Sequence, residues 1–251
     1  MWRALIEYFA NAIEAGLSKS TMNTLVTSVT QVVAAVTGVD INQSQVFLMA
    51  KRHMTRKVPR SVNYHDNYDI DLIWAVVDSW PINQHLSMEE LRSKMIILMK
   101  LDTMCRNSDL ARLYRDEICF RFDGDELLIR FFGTKERPHA FTDWISIQSC
   151  EIRQNICTVA AVKAYLARTN HGSISKQVVK LRKAQLHLRP LVLQLERATG
   201  VSEDLISKMT KRVLTEAGIP PEFDAHSTRS ASISKAVQLG VSQDRVQLHA
   251  R

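Results

Sequence analysis

The chain has 251 residues, 45% of them hydrophobic, and 33 Lys and Arg against 26 Asp and Glu give a net charge of +7. That apolar content is enough to bury one large or two small cores, and only eight Gly and six Pro exclude collagen-like and low-complexity chains. The positive balance suits a polyanionic partner without demanding one.

In chain order, the stretch MWRALIEYFANAIEA places Leu5, Tyr8, Phe9, Ala12 and Ile13 at three/four spacing, which predicts a helix stopped by Gly16. A second helix, capped by Ser18 or Ser20, carries the stripe Met22, Leu25, Val26, Val29, Val32 and Val33 and ends before Gly38. Periodicity then breaks across a basic segment containing Lys51, Arg52, Arg56, Lys57 and Arg60, which reads as an interdomain linker over 53–68. Residues 1–52 are therefore expected to form one helical domain and 69–251 a second.

Within the second domain, helices are predicted from Ile70 towards Ser79 and after the capping box Ser87/Glu90, with the stripe Leu91, Met95, Leu98 and Met99. Ile118–Phe122 and Leu127–Phe132 flank Asp123-Gly124, a hairpin signal, and Ala140–Ile147 supplies a third strand after the turn 133–138. Helices resume from Thr158, acting as cap, to Arg168, and from the cap Ser202 through Ala217, ended by Gly218 and Pro220. Between them, residues 168–197 hold seven Lys and Arg against Glu196 alone, a run that reads as a solvated helix face or as a phosphate contact. The fold class expected is mainly α with a small antiparallel β-sheet. Cys105, Cys119, Cys150 and Cys157 form no CxxC pair and read as reduced thiols. The longest apolar run is far short of a membrane span, and no signal-peptide core opens the chain. A soluble intracellular protein follows, nuclear in a eukaryote and otherwise cytoplasmic.

Three features can carry chemistry. His226 and Arg229, three residues apart at the start of a helix, project from one face beside unsatisfied backbone N–H groups, an arrangement that suits a phosphate. Arg106 follows an apolar helix and must be paired or bind an anion, with Asp109 its obvious partner. Lys135 stands at the tip of the second turn, where a lysine is ordinarily a solvated residue.

In the order helix-Arg, hairpin-Lys, His-x-x-Arg, these segments resemble the tyrosine recombinase (phage integrase) family over almost the whole chain. The opening LSKSTMNTLVTSVTQV (Leu17–Val32) is similar to that family's DNA-clamping helical domain, and NICTVAAVKAYLART (Asn155–Thr169) to the helix after its sheet. AHSTRSASISKAVQLGVS is particularly similar to recombinases of eukaryotic DIRS and Crypton mobile elements. The resemblance implies a helical core-binding domain plus an α/β catalytic domain, and strand exchange on double-stranded DNA, without metal or cofactor, by a homo-oligomer, a tetramer on paired sites. It implies that Arg106 and Arg229 clamp the scissile phosphate, that His226 manages the nucleophile's proton, that Lys135 protonates the leaving 5′ oxygen, and that Asp109 orients Arg106. Ser20, Thr21, Lys51, Arg52, Arg56 and Lys57 are its candidate DNA contacts.

The chain departs from the family in two respects. Its five tyrosines, Tyr8, Tyr64, Tyr68, Tyr114 and Tyr165, all precede His226, whereas the family's nucleophile lies beyond that helix. His249 falls just short of the family's late His or Trp position and is not assigned to it. The expectation is therefore a chain truncated before its nucleophile and inactive in cleavage, or a decayed or repurposed copy that kept only DNA binding. A helical interaction domain with solvated basic residues is the plainer alternative.

Overall fold

The computed structural model describes residues 2–57, 67–170 and 174–249. Its contacts divide the protein into two units, Met1–His65 and Asp66–Arg251. The first comprises α1 (Trp2–Glu14), α2 (Lys19–Thr37) and α3 (Gln45–Lys57). Gly16 takes a left-handed φ of 78° after α1, Ser18 Oγ accepts the Thr21 amide at 3.2 Å, and Gly38 closes α2 at φ 69°. Phe9, Met22, Val26, Ile41 and Phe47 form a small core, in which the Phe9 and Phe47 rings lie 6.3 Å apart.

Two expected members of that core lie outside it, since Val32 is 62% and Tyr8 49% exposed. Two neighbouring helices cover only a narrow stripe of α2, so its outer valines face water, while Thr30 is buried with its hydroxyl donated to the Thr27 carbonyl at 3.0 Å. The expected linker also begins too early. Helix α3 runs on through Lys57 because HMTRK contains no helix breaker, the first being Pro59. Residues 58–66 lie outside the described residues.

The second unit is built around α5 (Met88–Thr103), buried from Leu91 to Leu101 and packed by α7 (Thr158–Thr169), α8 (Glu203–Glu216) and α9 (Ser227–Gln238). Helices α4 (Asp71–Ser79), α6 (Asn107–Ala111) and α10 (Gln243–His249) complete its helical part. Both halves of the expected capping box form: Glu90 N–H donates to Ser87 Oγ at 3.2 Å, and Ser87 N–H to Glu90 Oε2 at 2.9 Å. The stripe on α5 is buried as expected, and so are Lys94 and Lys100. Lys94 Nζ donates to Asn155 Oδ1 at 2.7 Å, and burial lowers its pKa to about 8.

Strands β1 (Phe120–Asp123), β2 (Glu126–Ile129) and β3 (Ile145–Gln148) form the antiparallel sheet, in the register Phe120↔Ile129 and Leu127↔Ile147. Leu127, Ile129 and Ile147 face the core. The third strand is shorter than the expected Ala140–Ile147, because residues 133–140 loop out and rejoin only at the bridge between Phe132 and Phe141. Cys157 caps α7 in place of Thr158, its Sγ accepting the Ala160 amide at 3.4 Å, while the Thr158 hydroxyl donates to Asp102 Oδ2 at 2.5 Å. The basic run holds hairpins where a helix face was one expectation: β4 (Gln177–Lys180) pairs with β5 (Gln185–Leu188), and β6 (Leu193–Gln194) with β7 (Thr199–Gly200). Among the described residues no helix is long and apolar enough to cross a membrane.

Candidate functional site

Helix α5 ends at Met104, whose φ of 52° puts a residue with a side chain in the left-handed region, where a β-carbon costs about 1 kcal/mol. This reversal delivers Arg106 immediately afterwards and turns the Met104 carbonyl towards α9, where it accepts from Arg229 Nη1 at 2.6 Å. Asp109 is buried and its Oδ2 accepts the Arg106 amide at 3.0 Å. That carboxylate also lies 3.9 Å from the Arg106 guanidinium and 4.0 Å from that of Arg112. Burial raises the Asp109 carboxyl above its ordinary range, against the pull of the Arg106 amide and of the three neighbouring arginines. The expected Arg106–Asp109 partnership is thus made chiefly through the backbone.

The Arg106 guanidinium is engaged by a residue the sequence did not single out. Its Nη1 and Nη2 donate to the two Glu136 oxygens at 2.9 and 2.6 Å, a bidentate pair. Glu136 holds the Arg106 pKa up, and Arg106 holds the Glu136 carboxyl down, with Arg229 adding its attraction. Arg229 is depressed first by burial and then by the positive charge of Arg106, so the two guanidiniums share one electrostatic neighbourhood. Two arginines and the carboxylates of Asp109 and Glu136 therefore meet where α5 ends, α9 begins and the 133–140 loop folds over.

That loop has its own architecture. Gly133, at φ 66°, takes a conformation that favours glycine, its amide donates to the Ala140 carbonyl at 3.1 Å, and the Arg137 amide reaches the Thr134 carbonyl at 3.1 Å. Lys135 stands exposed on it, next in the chain to Glu136. His226 is exposed at the start of α9, its amide donating to Asp224 Oδ1 at 2.8 Å. The structure brings together Arg106, Asp109 and Arg229. His226 stands three residues before Arg229 on the rim, and Lys135 reaches the same neighbourhood only by adjacency to Glu136.

Beneath the site lies Lys100, 1% exposed, with Nζ donating to Asn107 Oδ1 at 2.5 Å and to the Ala225 carbonyl at 2.7 Å. Burial lowers its pKa to about 8. It ties the first residue of α6 to the residue preceding His226. Burial also pushes the Cys105 thiol beside Arg106 up to about 11, which leaves it a poor nucleophile.

The remaining candidate DNA contacts belong to the first unit. The Thr21 hydroxyl is 2.8 Å from Ser18 Oγ, within the α2 cap. Lys51 is half-buried and Arg52 exposed on α3. The side chains of Ser20, Arg56 and Lys57 lie outside the description.

The fold, mainly helical with small antiparallel sheets, matches that of solved tyrosine recombinases. The chain is similar to the XerH site-specific recombinase in its pre-cleavage complex with difH substrate (TM-score 0.63, 12% identity, 98% of this chain and 62% of that one). It is likewise similar to XerH in a post-cleavage complex with palindromic difH (TM-score 0.60, 14% identity, 99% and 64% covered). The Tn1549 transposon integrase in complex with transposon right end DNA is similar at TM-score 0.58 and 13% identity, over 98% of this chain and 75% of that one. The chain thus spans less than two thirds of the XerH chains. No protein-family model matches it, and no curated protein sequence does.

Proposed function

We propose that this chain is the DNA-binding and phosphate-activating part of a tyrosine-recombinase-type site-specific recombinase or integrase of a mobile element, of the DIRS or Crypton kind. One observation carries the reading: within a recombinase fold, the guanidinium of Arg106 grips a carboxylate that Arg229 also attracts. A carboxylate and a phosphodiester offer the same paired anionic oxygens to a guanidinium fork, so Glu136 marks an anion position.

In the proposed reaction a tyrosine oxygen attacks the scissile phosphorus, the bond to the 5′ oxygen breaks, and a 3′-phosphotyrosyl link forms. Arg106 and Arg229 neutralise charge on the non-bridging oxygens, each such donor typically contributing about 3 kcal/mol. His226 hydrogen-bonds the phosphate and manages the proton of the attacking hydroxyl, and Lys135 delivers a proton to the leaving 5′ oxygen. Asp109 fixes the Arg106 backbone.

The nucleophile is not among the five tyrosines of this sequence, since all precede His226, and Tyr68, Tyr114 and Tyr165 are buried. Cleavage in this reading therefore requires a tyrosine from another protomer or from sequence beyond this chain, and a tetramer on paired sites is the proposed assembly. A second reading is a recombinase-derived module that binds DNA without cutting it.

The test is duplex binding followed across salt, since a protein making several phosphate contacts loses affinity steeply as salt rises. Binding should weaken in Arg106→Ala and Arg229→Ala. Supplying a tyrosine-containing C-terminal segment should then trap a covalent DNA complex on denaturing gels under the first reading and none under the second. Absence of duplex binding by the parent chain at low salt overturns both.

A further inference from the structure

The 133–140 loop and the β4–β5 turn enclose a groove of about 680 Å³, whose charged lining is Glu136 and Arg137 on one wall and Arg182 and Lys183 on the other, with His139 beside them. We infer that this groove is a second anion site, which holds the sugar–phosphate backbone of the duplex beside the phosphate gripped by Arg106 and Arg229. The inference rests on the proposed function and extends it.

Three observations support it. First, Glu136 lines the groove and pairs with Arg106, so the groove and the candidate anion position share that residue. Second, the cations are presented by structured turns. The Leu181 amide donates to the Ala184 carbonyl at 2.9 Å, which closes the hairpin and leaves Arg182 and Lys183 as its two exposed apex residues. Opposite them, Arg137 is aimed by Asp143, with Nη2 to Oδ2 at 3.1 Å, and by the Phe141 carbonyl. Third, the sign and the size fit a polyanion. Glu136 is the one acidic residue lining the groove and its charge is matched by Arg106, while Arg137 is matched by Asp143, which leaves the charges of Arg182 and Lys183 in excess. Duplex DNA carries one charge per about 1.7 Å of its axis and so presents several phosphates to neighbouring cations.

The experiment compares the parent chain with R182E/K183E and R182Q/K183Q, using a 30-base-pair duplex and fluorescence anisotropy from about 50 to 300 mM salt. If the groove is used, removing two phosphate contacts weakens binding roughly tenfold or more near 0.1 M salt, and the slope of log affinity against log salt falls by about two. Sulfate binding at Arg106 and Arg229 stays at the parental value. Both substitutions fall on side chains exposed at the tip of the turn, and an unchanged melting temperature verifies the fold.

If the parent binds duplex and both double variants match its affinity and slope, the groove assignment is overturned while the proposed function stands. If the parent binds no duplex, both are overturned. If the double variants instead lose binding to poly-glutamate while keeping that to duplex, the groove serves an acidic protein partner and the inference is likewise overturned.

Discussion

The carboxylate of Glu136 occupies the grip of Arg106, so an incoming anion must displace it, and Glu136→Gln should tighten anion binding. Two parallel hydrogen bonds at 2.6 and 2.9 Å set the geometry, and side-chain exposures of 26% and 40% set the screening. Exposed ion pairs are worth ~0.2–1 kcal/mol, and bidentate geometry places this one near the top of that range. Losing it corresponds to a gain of roughly fivefold in affinity. Removing the like charge adds about 1 kcal/mol per anion charge held near 4 Å in a water-like medium, about 2 kcal/mol for the sulfate dianion, so the combined gain has a ceiling of roughly 150-fold. Titration calorimetry with sulfate, whose charge is constant from acid to neutral pH, reads the change. The pH profile adds a second signature. Because Arg106 depresses the Glu136 carboxyl, the parent should gain sulfate affinity only as pH falls below the usual glutamate range, and the variant should lack that gain. Glu151→Gln, an exposed carboxylate elsewhere on the unit, is the control and should leave sulfate binding unchanged. If Glu136→Gln binds sulfate no more tightly than the parent, Arg106 is not the anion's partner.

Further predictions concern the buried cations and the first core. Lys94 and Lys100 have native pKa values of about 8 against 10.5 unfolded. Between those values the unfolded chain binds more protons, so their contribution to stability rises with pH, by up to about 1.4 kcal/mol per pH unit for each group. Above pH 9 the raised thiols of Cys105 and Cys119 act oppositely, because the unfolded thiol ionises first. Denaturant melts between pH 8 and 9 should therefore show stability rising with pH, less steeply in Lys100→Met. That variant also leaves Asn107 Oδ1 and the Ala225 carbonyl without their donor, at a cost of about 1–3 kcal/mol for each. Arg115→Lys should cost roughly 3 kcal/mol in denaturant titrations, because one buried guanidinium donates to the carbonyls of Thr169, Pro190 and Leu191 and an ammonium cannot span all three. In the first unit, thermal melts should show Val26→Ala destabilising by roughly 1–3 kcal/mol and Val32→Ala by less than about 0.5 kcal/mol, since Val26 is 1% and Val32 62% exposed.

Local chemistry was legible in the sequence and distant chemistry was not. Ser18, Ser87 and Ser202 announce helix starts because a cap is a contact over three residues. Asp123-Gly124 announces the first hairpin for the same reason, with Gly124 at φ 59°. The β4–β5 hairpin stayed hidden because each strand has four residues and only two apolar ones, too few for a period-2 signal against so many charges. Arg106 and Asp109 could be paired by their spacing, whereas Glu136 lies 30 residues from Arg106 and Met104 lies 125 from Arg229, and no spacing connects them. Lys100 falls on the helix face that periodicity assigns to water, and tertiary packing buries it.

A single ammonium inside the protein answers to both arms of the pocket, one through an amide side chain and the other through a main-chain oxygen. Neither arm can drift without changing how tightly that nitrogen keeps its proton. The state of assembly of the pocket is thereby written into an acid–base equilibrium, one that a probe of that one lysine can follow while the surface around it stays untouched.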